Sequence, residues 1–445
     1  YLQVTSKVKK FKKILEVDGD KSISIRWLLL ASQSIGVSKA KNLLKSGDVL
    51  SAIECLKKLG IKVILSNDNC AVYGRGINGF KFKKNIVLNA GNSGTVGRLI
   101  LPLLIRSPYK IKIIGDKSLS KRDFLRVIEP LREIGVEFFP KSKGKLPISI
   151  LGSNYLRPIN YYEERGSAQC KTCIMLASLN TPGEMKICAK SSRNHTELMF
   201  NYLNMPISVK KKDKIDLIKT SSPKRINAFN IDIPGDISSG AFFIALTLLS
   251  KDSELILKNI NLNPSRLGIL KILNKMGAKI KLKNVKSNKG EKCGDIIVKS
   301  NSKLNAINCP SSLNSSAIDE FLIIFLIAAK SKGVSYFKDL SELNKKESPR
   351  LKLGSKILNM IGVKTKVTND SIKIYGNPNI NLRKEYKIKN YLKDHRIMAM
   401  CTIASLTLGG NWKIYDPDSI NTSFPSFLKI LKNDFKVKFK WKKKY

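Results

Sequence analysis

Six copies of one helix-and-strand pattern recur along the chain of 445 residues. Each copy is an amphipathic helix that closes on a glycine or a short turn and leads into a strand. The copies are AIECLKKLGIKVIL (52–65), FLRVIEPLREIGVEFF (124–139), HTELMFNYLNMPISV (195–209), RLGILKILNKMGAKIKL (266–282), RLKLGSKILNMIGVKTKV (350–367) and FLKILKNDFKVKF (427–439). Their starts are separated by 72, 71, 71, 84 and 77 residues, which indicates one repeated supersecondary unit.

A second set of helices alternates with the first at the same period. Each follows a small or polar turn and has no polar stripe, so it is predicted to be buried on all sides. The members are KSISIRWLLLASQSI (21–35), GNSGTVGRLILPLLI (91–105), GSAQCKTCIMLASL (166–179), GDISSGAFFIALTLL (235–249), SSAIDEFLIIFLIAA (315–329) and KDHRIMAMCTIASLTL (393–408).

One buried helix, one surface helix and short strands in each repeat predict α/β units whose sheets lie outside a core of helices. Three such repeats can close one globule, so six repeats predict two domains of three repeats each. The length of the chain and its hydrophobic content of 42% are sufficient for two cores of that size.

The chain carries 81 Lys and Arg residues against 34 Asp and Glu residues, which gives a formal net charge of +47. Such a balance fits a nucleic acid, an acidic membrane surface or small anionic substrates as the partner. The basic residues are spread along the whole chain, and aromatic residues are not interleaved with them as base-stacking platforms would require. Compositional drift of surface positions explains the charge better than a nucleic-acid footprint, so no specific nucleic-acid partner is expected.

The eight cysteines offer little for a metal site. Only Cys170 and Cys173 form a CxxC pair, within an apolar helical run, and the chain has two histidines. Zinc is therefore not expected. Buried, reduced thiols in a cytoplasmic protein are expected instead. The longest apolar runs, such as FLIIFLIAA, are about half the length of a membrane span, so no membrane association is expected.

The buried helices begin with a concentration of polar and charged residues. These are Lys21, Ser22 and Arg26; Gly94, Thr95 and Arg98; Ser167, Gln169 and Lys171; Asp319 and Glu320; and Asp394 and Arg396. A cation in a first turn opposes the helix dipole by roughly 0.3–1 kcal/mol, so a negative group is expected opposite residues such as Arg98. Converging N-termini would form an anion-binding cleft. Ordinary N-capping is the alternative, which explains the hydroxyl groups but not the cations.

Two segments add candidate acid–base groups. In NKKESPRL, Lys346, Glu347 and Arg350 surround a helix entry, and the following proline suits a first turn. Lysine and arginine neutralise a phosphate or carboxylate, and Glu347 beside them can exchange a proton. In IDEF, Asp319 heads an apolar helix, where a carboxylate is either a cap or a base directed into a cleft.

Seven segments resemble, in order, the signature segments of one family, the 5-enolpyruvylshikimate-3-phosphate (EPSP) synthases. They are GDKSISIR (19–26), NAGNSGTVGR (89–98), GSAQCKT (166–172), PGDISSGAFF (234–243), IDEF (318–321), KESPRL (346–351) and DHRIMAM (394–400). The resemblance extends from about residue 18 to TSFPSFL (422–428), nearly the full chain.

The resemblance implies a fold of two inside-out α/β barrel domains, each of three repeated units, with the active site in the cleft between them. One domain is expected at residues 21–233, and the other, discontinuous, at residues 1–20 plus 234–445. The implied reaction transfers the enolpyruvyl group of phosphoenolpyruvate to the 5-hydroxyl of shikimate 3-phosphate in the shikimate pathway, without a metal or organic cofactor. Both substrates are small anions, which suits a cation-rich cleft. A cytoplasmic monomer is expected.

Matched residue by residue, the family's motifs imply a role for each candidate. Lys21 contacts both substrates. Shikimate 3-phosphate is bound by Lys21, Ser22, Arg26, Ser167, Ala168, Gln169, Ser192, Arg193, Asp319 and Lys346. Phosphoenolpyruvate is bound by Lys21, Gly94, Arg122, Gln169, Arg350 and Arg396. The catalytic set is Lys21, Asp319, Lys346 and Glu347, with Asp319 as the base on the 5-hydroxyl and Glu347 with Lys346 as proton carriers at C3.

Two alternatives stay open. The UDP-N-acetylglucosamine enolpyruvyl transferases share the fold, but they carry a cysteine in the loop that corresponds to GDKSLSKR (115–122), where this chain has none. A basic RNA-binding or RNA-end-processing protein of related fold is suggested by the net charge, and RNA binding that survives physiological salt would support it.

Gly94 lies where alanine variants of the EPSP synthases resist glyphosate. The resemblance therefore implies ordinary glyphosate sensitivity for this chain, which has glycine there.

Overall fold

Both predicted kinds of helix are present in the structure, a computed structural model that describes residues 1–67, 69–142, 144–300 and 303–442. The α-helices in these residues are α1 (Lys21–Ser32), α2 (Gly47–Lys58), α3 (Gly94–Leu99), α4 (Leu125–Ile134), α5 (Ala168–Ala177), α6 (His195–Tyr202), α7 (Ile237–Leu249), α8 (Gly268–Lys275), α9 (Asn314–Ala317), α10 (Phe321–Ala329), α11 (Arg350–Met360), α12 (His395–Leu408) and α13 (Phe427–Asn433).

Short strands follow and separate these helices. They are β1 (Leu2–Val4), β2 (Lys12–Leu15), β3 (Ile35–Lys41), β4 (Lys62–Leu65), β5 (Asn69–Arg75), β6 (Val87–Asn89), β7 (Ile111–Ile114), β8 (Glu137–Phe139), β9 (Ile148–Leu151), β10 (Asn160–Glu163), β11 (Glu184–Lys190), β12 (Ile207–Lys212), β13 (Ile215–Ser221), β14 (Ile231–Asp232), β15 (Glu254–Asn261), β16 (Lys279–Asn288), β17 (Glu291–Lys299), β18 (Gly333–Phe337), β19 (Thr365–Val367), β20 (Ile372–Gly376), β21 (Leu382–Ile388), β22 (Gly409–Ile414) and β23 (Phe439–Trp441).

The second predicted set forms the buried helices α1, α3, α5, α7, α10 and α12. Every residue of α7, α10 and α12 is buried, because these segments are apolar on all sides. The first set forms α2, α4, α6, α8, α11 and α13, each followed by a strand. The six predicted repeats are therefore confirmed.

Two of the predicted buried helices are interrupted. In the segment 91–105, α3 ends at Leu99 and a 3-10 helix, Leu101–Leu104, follows, because Pro102 has no backbone N–H to continue the α-helical hydrogen bonds. In the segment 315–329, α9 ends at Ala317 and α10 begins at Phe321, so Asp319 lies in the turn between two helices.

The strands of the described residues form six sheets with a shared pattern. Their strand orders are β14-β3-β5-β4, β6-β7-β9-β8, β10-β11-β13-β12, β16-β17-β15-β2, β18-β20-β19 and β21-β22-β1-β23. Each four-stranded sheet has one parallel pair, as in β6 with β7, where Val87 lies opposite Lys112. The parallel partner of β18 is reduced to isolated bridges at Asn305 and Asn308.

The N-terminal strands complete sheets formed by the C-terminal half of the chain. β1 lies between β22 and β23, with Leu2 opposite both Ile414 and Trp441, and β2 pairs with β15. Conversely, β14 pairs with β3 and closes the sheet of the first repeat. The chain therefore leaves the C-terminal repeats after β2 and returns to them after β14.

Two compact units result from these pairings. Unit 1 comprises Tyr1–Asp18, Pro234–Lys286 and the residues from Lys292 on, and unit 2 comprises Gly19–Ile233 and Ser287–Glu291. Each unit has a separate hydrophobic core built around its buried helices. The segment Ser287–Glu291, at the turn between β16 and β17, is the part of this division that the sequence repeats do not indicate.

The apolar helices of the described residues are short. No single one is both long and apolar enough to cross a membrane. The pair Ser311–Ala317 and Phe321–Ala329 meets the length and composition criterion only when taken together, across a bend of 119°.

Candidate active site

Five of the six buried helices begin at a side chain that caps the first turn. Asp20, Ser93, Ser167, Asp236 and Asp394 each accept a hydrogen bond from a backbone N–H two or three residues later. These caps satisfy N–H groups that burial would otherwise leave without a partner. Ordinary capping therefore explains the hydroxyl and carboxylate groups at these positions, and the cations need a separate explanation.

In unit 2, Arg26 on α1 is held by two threonines. Its Nε donates to Oγ1 of Thr196 at 2.8 Å, and a second guanidinium nitrogen lies 3.4 Å from Oγ1 of Thr172. A third nitrogen donates to the carbonyl oxygen of Ser22. Burial lowers the pKa of Arg26 to about 10, although Glu197 acts in the opposite direction. The guanidinium therefore stays charged at neutral pH in a fixed orientation.

Arg98 on α3 has neutral hydrogen-bond partners. It donates to Oε1 of Gln169 at 2.7 Å and to the carbonyl oxygen of Asp123 at 2.8 Å. Burial, together with the nearby Arg126 and Arg122, lowers the pKa of Arg98 to about 10. Within the protein an amide and a main-chain oxygen accept these bonds, and the expectation that an anion faces Arg98 stays a prediction.

Three residues predicted to bind phosphoenolpyruvate lie together around the start of α3. A Cβ built on Gly94 would lie 3.0 Å from a terminal nitrogen of Arg122 and 3.1 Å from one of Arg98. The Gln169 amide nitrogen donates to the hydroxyl of Thr95. The absence of a side chain at Gly94 therefore leaves room for two guanidinium groups at the backbone.

Lys21 begins α1 and forms an ion pair with an acidic residue of α2. Its Nζ lies 3.0 Å from Oδ2 of Asp48, and the lysine side chain is 20% exposed. The ammonium therefore lies at the surface of unit 2, with Asp48 fixing its direction.

Lys171 on α5 forms ion pairs in the interior of unit 2. Its side chain is fully buried, with Nζ 2.6 Å from a carboxylate oxygen of Glu197 and 3.2 Å from one of Asp216. The expectation that Lys171 contributes to an anion-binding cleft is wrong, because two acidic residues distant in sequence surround it. Its Nζ also lies 3.5 Å from the carbonyl oxygen of Ser192, next to Arg193.

The loop before α5 positions Ser167, Ala168 and Gln169. The Oγ of Ser167 accepts a hydrogen bond from the backbone N–H of Cys170. The backbone N–H of Ser167 donates to Oε2 of Glu163 at 2.9 Å. Burial raises the pKa of Glu163. The buried carboxylate thus fixes the main chain just before the predicted substrate contacts.

In unit 1, Arg350 at the start of α11 is surrounded by carboxylates. Its Nε lies 2.9 Å from Oδ2 of Asp394, and a terminal nitrogen lies 2.5 Å from Oε2 of Glu347. Burial alone would lower the pKa of Arg350, but Asp394 and Glu347 raise it above its ordinary value. Pro349 was expected in the first turn of this helix, but it lies just before the helix, at the N-cap position.

Asp394 joins α11 to α12. Besides Arg350, its carboxylate accepts from the hydroxyl of Ser348 at 2.8 Å and from the backbone N–H of Arg396 at 2.9 Å. Burial alone would raise the pKa of Asp394, but Arg350 holds it below its usual value. This single carboxylate therefore orients the starts of two helices and the predicted phosphoenolpyruvate contacts on both.

Asp319 lies beside two cations in the turn before α10. One of its oxygens is 3.5 Å from Nζ of Lys346 and 3.5 Å from a terminal nitrogen of Arg350. The side chain of Lys346 is 29% exposed, whereas that of Arg350 is 2% exposed. Asp319, Lys346 and Glu347 thus form one group around Arg350. Within the described residues, no side chain caps the first turn of α10, so Asp319 is not its cap.

The structure shows neither a metal cluster nor a disulfide in the described part of the chain. No group of three or more His, Cys, Asp or Glu residues there could hold a metal ion. None of the eight cysteines, all of which lie in the described residues, forms a disulfide, and seven of them are buried, Cys188 being partly exposed.

Comparisons with known proteins agree with this geometry. Residues 5–431 match the family model of EPSP synthase (3-phosphoshikimate 1-carboxyvinyltransferase). A relative of that name from Ruthia magnifica is 38% identical over 423 residues, which cover 94% of each chain. One from Streptococcus pyogenes serotype M1 is also 38% identical, over 94% of this chain and 95% of that one.

Solved structures show the same likeness. An EPSP synthase from Acinetobacter baumannii superposes with a TM-score of 0.86 at 30% identity and covers 99% of both chains. The chain belongs to the EPSP synthase family. The enolpyruvyl transferase NikO from Streptomyces tendae shares the fold, with a TM-score of 0.77 at 11% identity over 99% of this chain and 98% of that one. The predicted two-domain inside-out α/β fold class is thereby confirmed, as is the carboxyvinyl transferase class, and neither alternative function is favoured.

The EPSP synthase motifs divide between the two units. Unit 2 contains Lys21, Ser22, Arg26, Gly94, Arg122, Ser167, Ala168, Gln169, Ser192 and Arg193, and unit 1 contains Asp319, Lys346, Glu347, Arg350 and Arg396. Sequence reasoning missed some of the groups that hold them, among them Asp48 and Thr196, which no local motif indicates. It placed Asp394 at a helix start, with capping as one alternative, but it did not predict the contact of Asp394 with Arg350.

Replacing Asp394 with asparagine should destabilise this protein in a pH-dependent way. The change leaves Arg350 buried with one fewer counter-charge, so we expect a loss of about 3 kcal/mol of unfolding free energy at pH 7. The native pKa of Asp394 is lowered, so its stabilisation is complete above the unfolded value of about 3.9 and disappears as the pH falls through the native value.

Denaturant unfolding of the wild type and Asp394→Asn from pH 7 down to pH 2.5 measures this difference. The gap between the two proteins should be constant above about pH 5 and should narrow below about pH 3.9. The exposed Asp252→Asn of the same unit is the control and should show no gap. A gap that widens on acidification would contradict the assignment.

Proposed function

We propose that this chain transfers the enolpyruvyl group of phosphoenolpyruvate to the 5-hydroxyl of shikimate 3-phosphate and releases inorganic phosphate, as a step toward chorismate and the aromatic amino acids. The family match supports this activity. The observation that carries the proposal is the carboxylate of Asp319, with Lys346 and Arg350 both 3.5 Å away. A base beside two cations can ionise a hydroxyl next to a bound anion.

Asp319 acts as the base on the 5-hydroxyl. The oxygen of that hydroxyl forms a bond to C2 of phosphoenolpyruvate, while Glu347 with Lys346 delivers a proton to C3. The tetrahedral intermediate then expels phosphate from C2, and C3 loses a proton to restore the double bond. Because this addition and elimination involve no net oxidation, the step needs no redox cofactor.

Arg350 orients the acid–base groups and binds phosphoenolpyruvate together with Arg396. The ion pair of 2.5 Å between Arg350 and Glu347 holds the latter beside Asp319. Lys346 is the most exposed of these groups, and it therefore exchanges its partner for a substrate oxygen at the smallest cost in desolvation.

The cations of unit 2 hold the phosphate and carboxylate groups of the substrates. Arg26, with Ser22, the Ser167–Gln169 segment, Ser192 and Arg193, binds shikimate 3-phosphate. Arg122 and the backbone at Gly94 bind phosphoenolpyruvate, and Lys21 contacts both substrates. Charge-assisted hydrogen bonds from arginine suit both anions.

The division into one domain at residues 21–233 and another at residues 1–20 plus 234–445 belongs to this proposal, with groups of both domains acting on the same pair of bound substrates. We also propose that the protein is a monomer and that it acts in the cytoplasm. The basic charge of the chain attracts both anions without a specific nucleic-acid partner.

Phosphate release tests the reaction directly. Purified protein is given shikimate 3-phosphate and phosphoenolpyruvate together, and each is omitted in turn. Release should require both substrates. Release from phosphoenolpyruvate alone, or release only with a UDP-sugar as acceptor, would contradict the proposal.

Asp319→Asn should abolish turnover and spare binding. Removal of the base should lower kcat by about 10²–10⁴-fold, since general-base catalysis contributes that much. Calorimetric titration should show shikimate 3-phosphate binding within about threefold of the wild type, because the amide keeps the shape and oxygen of the carboxylate. Asp339→Asn, an exposed residue of the same unit, should leave kcat unchanged. A near-normal rate in Asp319→Asn would remove Asp319 from the mechanism.

Gly94→Ala should weaken phosphoenolpyruvate binding selectively. The new methyl group would lie 3.0 Å from Arg122 and 3.1 Å from Arg98, and Arg98 is fixed by two hydrogen bonds. We expect a KM for phosphoenolpyruvate raised about tenfold, with an unchanged KM for shikimate 3-phosphate. The wild type should be inhibited by glyphosate when phosphoenolpyruvate is scarce, and the variant less so. Equal effects on both KM values would contradict this placement.

A further inference from the structure

The hairpin of β16 and β17 ends in a tight turn at Lys289–Gly290. Both turn residues have positive φ, 51° and 85°, as a two-residue hairpin turn of this hand requires. Its tip, Ser287–Glu291, belongs to unit 2, together with α6. The tip lies far from α6 in sequence, so the contacts between them are long-range.

Glu291 contacts the first residue of α6. Its Oε1 lies 2.6 Å from Nδ1 of His195, and both side chains are almost fully buried. The carboxylate accepts the Nδ1 hydrogen, so the imidazole ring is held in one orientation. His195 is thus a core contact of α6, and its partner comes from the hairpin.

The rest of the tip follows the same face of α6. A Cβ on Gly290 would lie 2.9 Å from the carbonyl oxygen of Leu198, and the ammonium of Lys289 lies 5.2 Å from the centre of the Tyr202 ring. Residues 195, 198 and 202 are spaced i, i+3 and i+7, which places them on one side of a helix. The hairpin tip therefore covers one face of α6 along its length.

The residue after His195 holds a predicted substrate cation. Thr196 accepts the Nε hydrogen of Arg26 at 2.8 Å, and its hydroxyl is 2.7 Å from that of Thr172. Ser192 and Arg193 lie just before the helix. A shift at the start of α6 would therefore move the partner of Arg26 and the segment that carries two further shikimate 3-phosphate contacts.

We propose that Glu291 is a positioning residue for shikimate 3-phosphate. Through His195 it fixes the start of α6, and through Thr196 it fixes the direction of the Arg26 guanidinium. This inference depends on the proposed function, because it assigns the anion that Arg26 and Arg193 bind. Glu291 itself does not touch the substrate.

Steady-state kinetics of Glu291→Ala, with Glu291→Gln and Lys281→Ala for comparison, tests the proposal. Glu291→Ala should raise the KM for shikimate 3-phosphate about tenfold, since a small displacement of a binding group has an effect of this size. The KM for phosphoenolpyruvate and kcat should stay within about threefold of the wild type. Glu291→Gln still accepts from Nδ1 and should restore the KM, and the exposed Lys281→Ala on β16 should match the wild type.

A purely structural role for Glu291 would lower Tm and leave the KM values unchanged well below Tm, and that result would overturn the proposal. If Glu291→Ala does not fold, Gly290→Ala gives the same measurement, because its methyl group pushes the tip away from Leu198. A raised KM for shikimate 3-phosphate then supports the proposal, and an unchanged one overturns it. A wild type without turnover overturns the proposed function and this inference together, whereas an active wild type with unchanged variants overturns this inference alone.

Discussion

The need to satisfy the first N–H groups of fully buried helices shapes both units of this protein. An apolar helix can enter a core only if the N–H groups of its first turn find acceptors. Asp20, Ser93, Ser167, Asp236 and Asp394 supply them. Repetition of the same solution in five of the six repeats places polar side chains at the starts of the core helices. The chemistry of the protein is built on these polar ends.

The cations at these helix starts fall into two classes. Arg26, Arg98 and Arg350 are buried, and their directions are fixed by hydrogen bonds. Lys21 and Lys346 are partly exposed, and each pairs with one acidic residue, Asp48 or Asp319. The planar guanidinium group can be held from one side and still present N–H donors on another. The ammonium groups reorient more freely, which suits groups that exchange a carboxylate for a substrate oxygen.

The repeats and the buried helices could be predicted from the sequence because they depend on local hydrophobic patterns. Asp319 and Lys346 could also be singled out from the sequence, because IDEF and NKKESPRL each place a charged group at a helix entry, and the structure brings the two residues together. The role expected for Lys171 was wrong, because its partners lie far away in sequence. Glu197 and Asp216 enclose Lys171 through the packing of α6 and β13, and no spacing rule reveals that a buried lysine has two carboxylates. A charge at a helix start indicates a polar environment, but tertiary packing decides whether that environment is a binding surface or the interior.

The same distinction explains why a net charge of +47 says little about the site. Most of the excess consists of exposed lysines, whose interactions water and salt screen. The buried arginines at the helix starts are few, and their directions are fixed by partners that add no positive charge: two threonines for Arg26, an amide and a carbonyl for Arg98, and three carboxylates around Arg350. Around Arg350 the carboxylates outnumber the guanidinium, so the anion binding proposed for that region requires the added charge of Lys346 and Arg396. In the proposed mechanism the acid–base groups and the anion-binding groups are therefore interdependent, because each carboxylate that exchanges a proton also balances a cation that holds substrate.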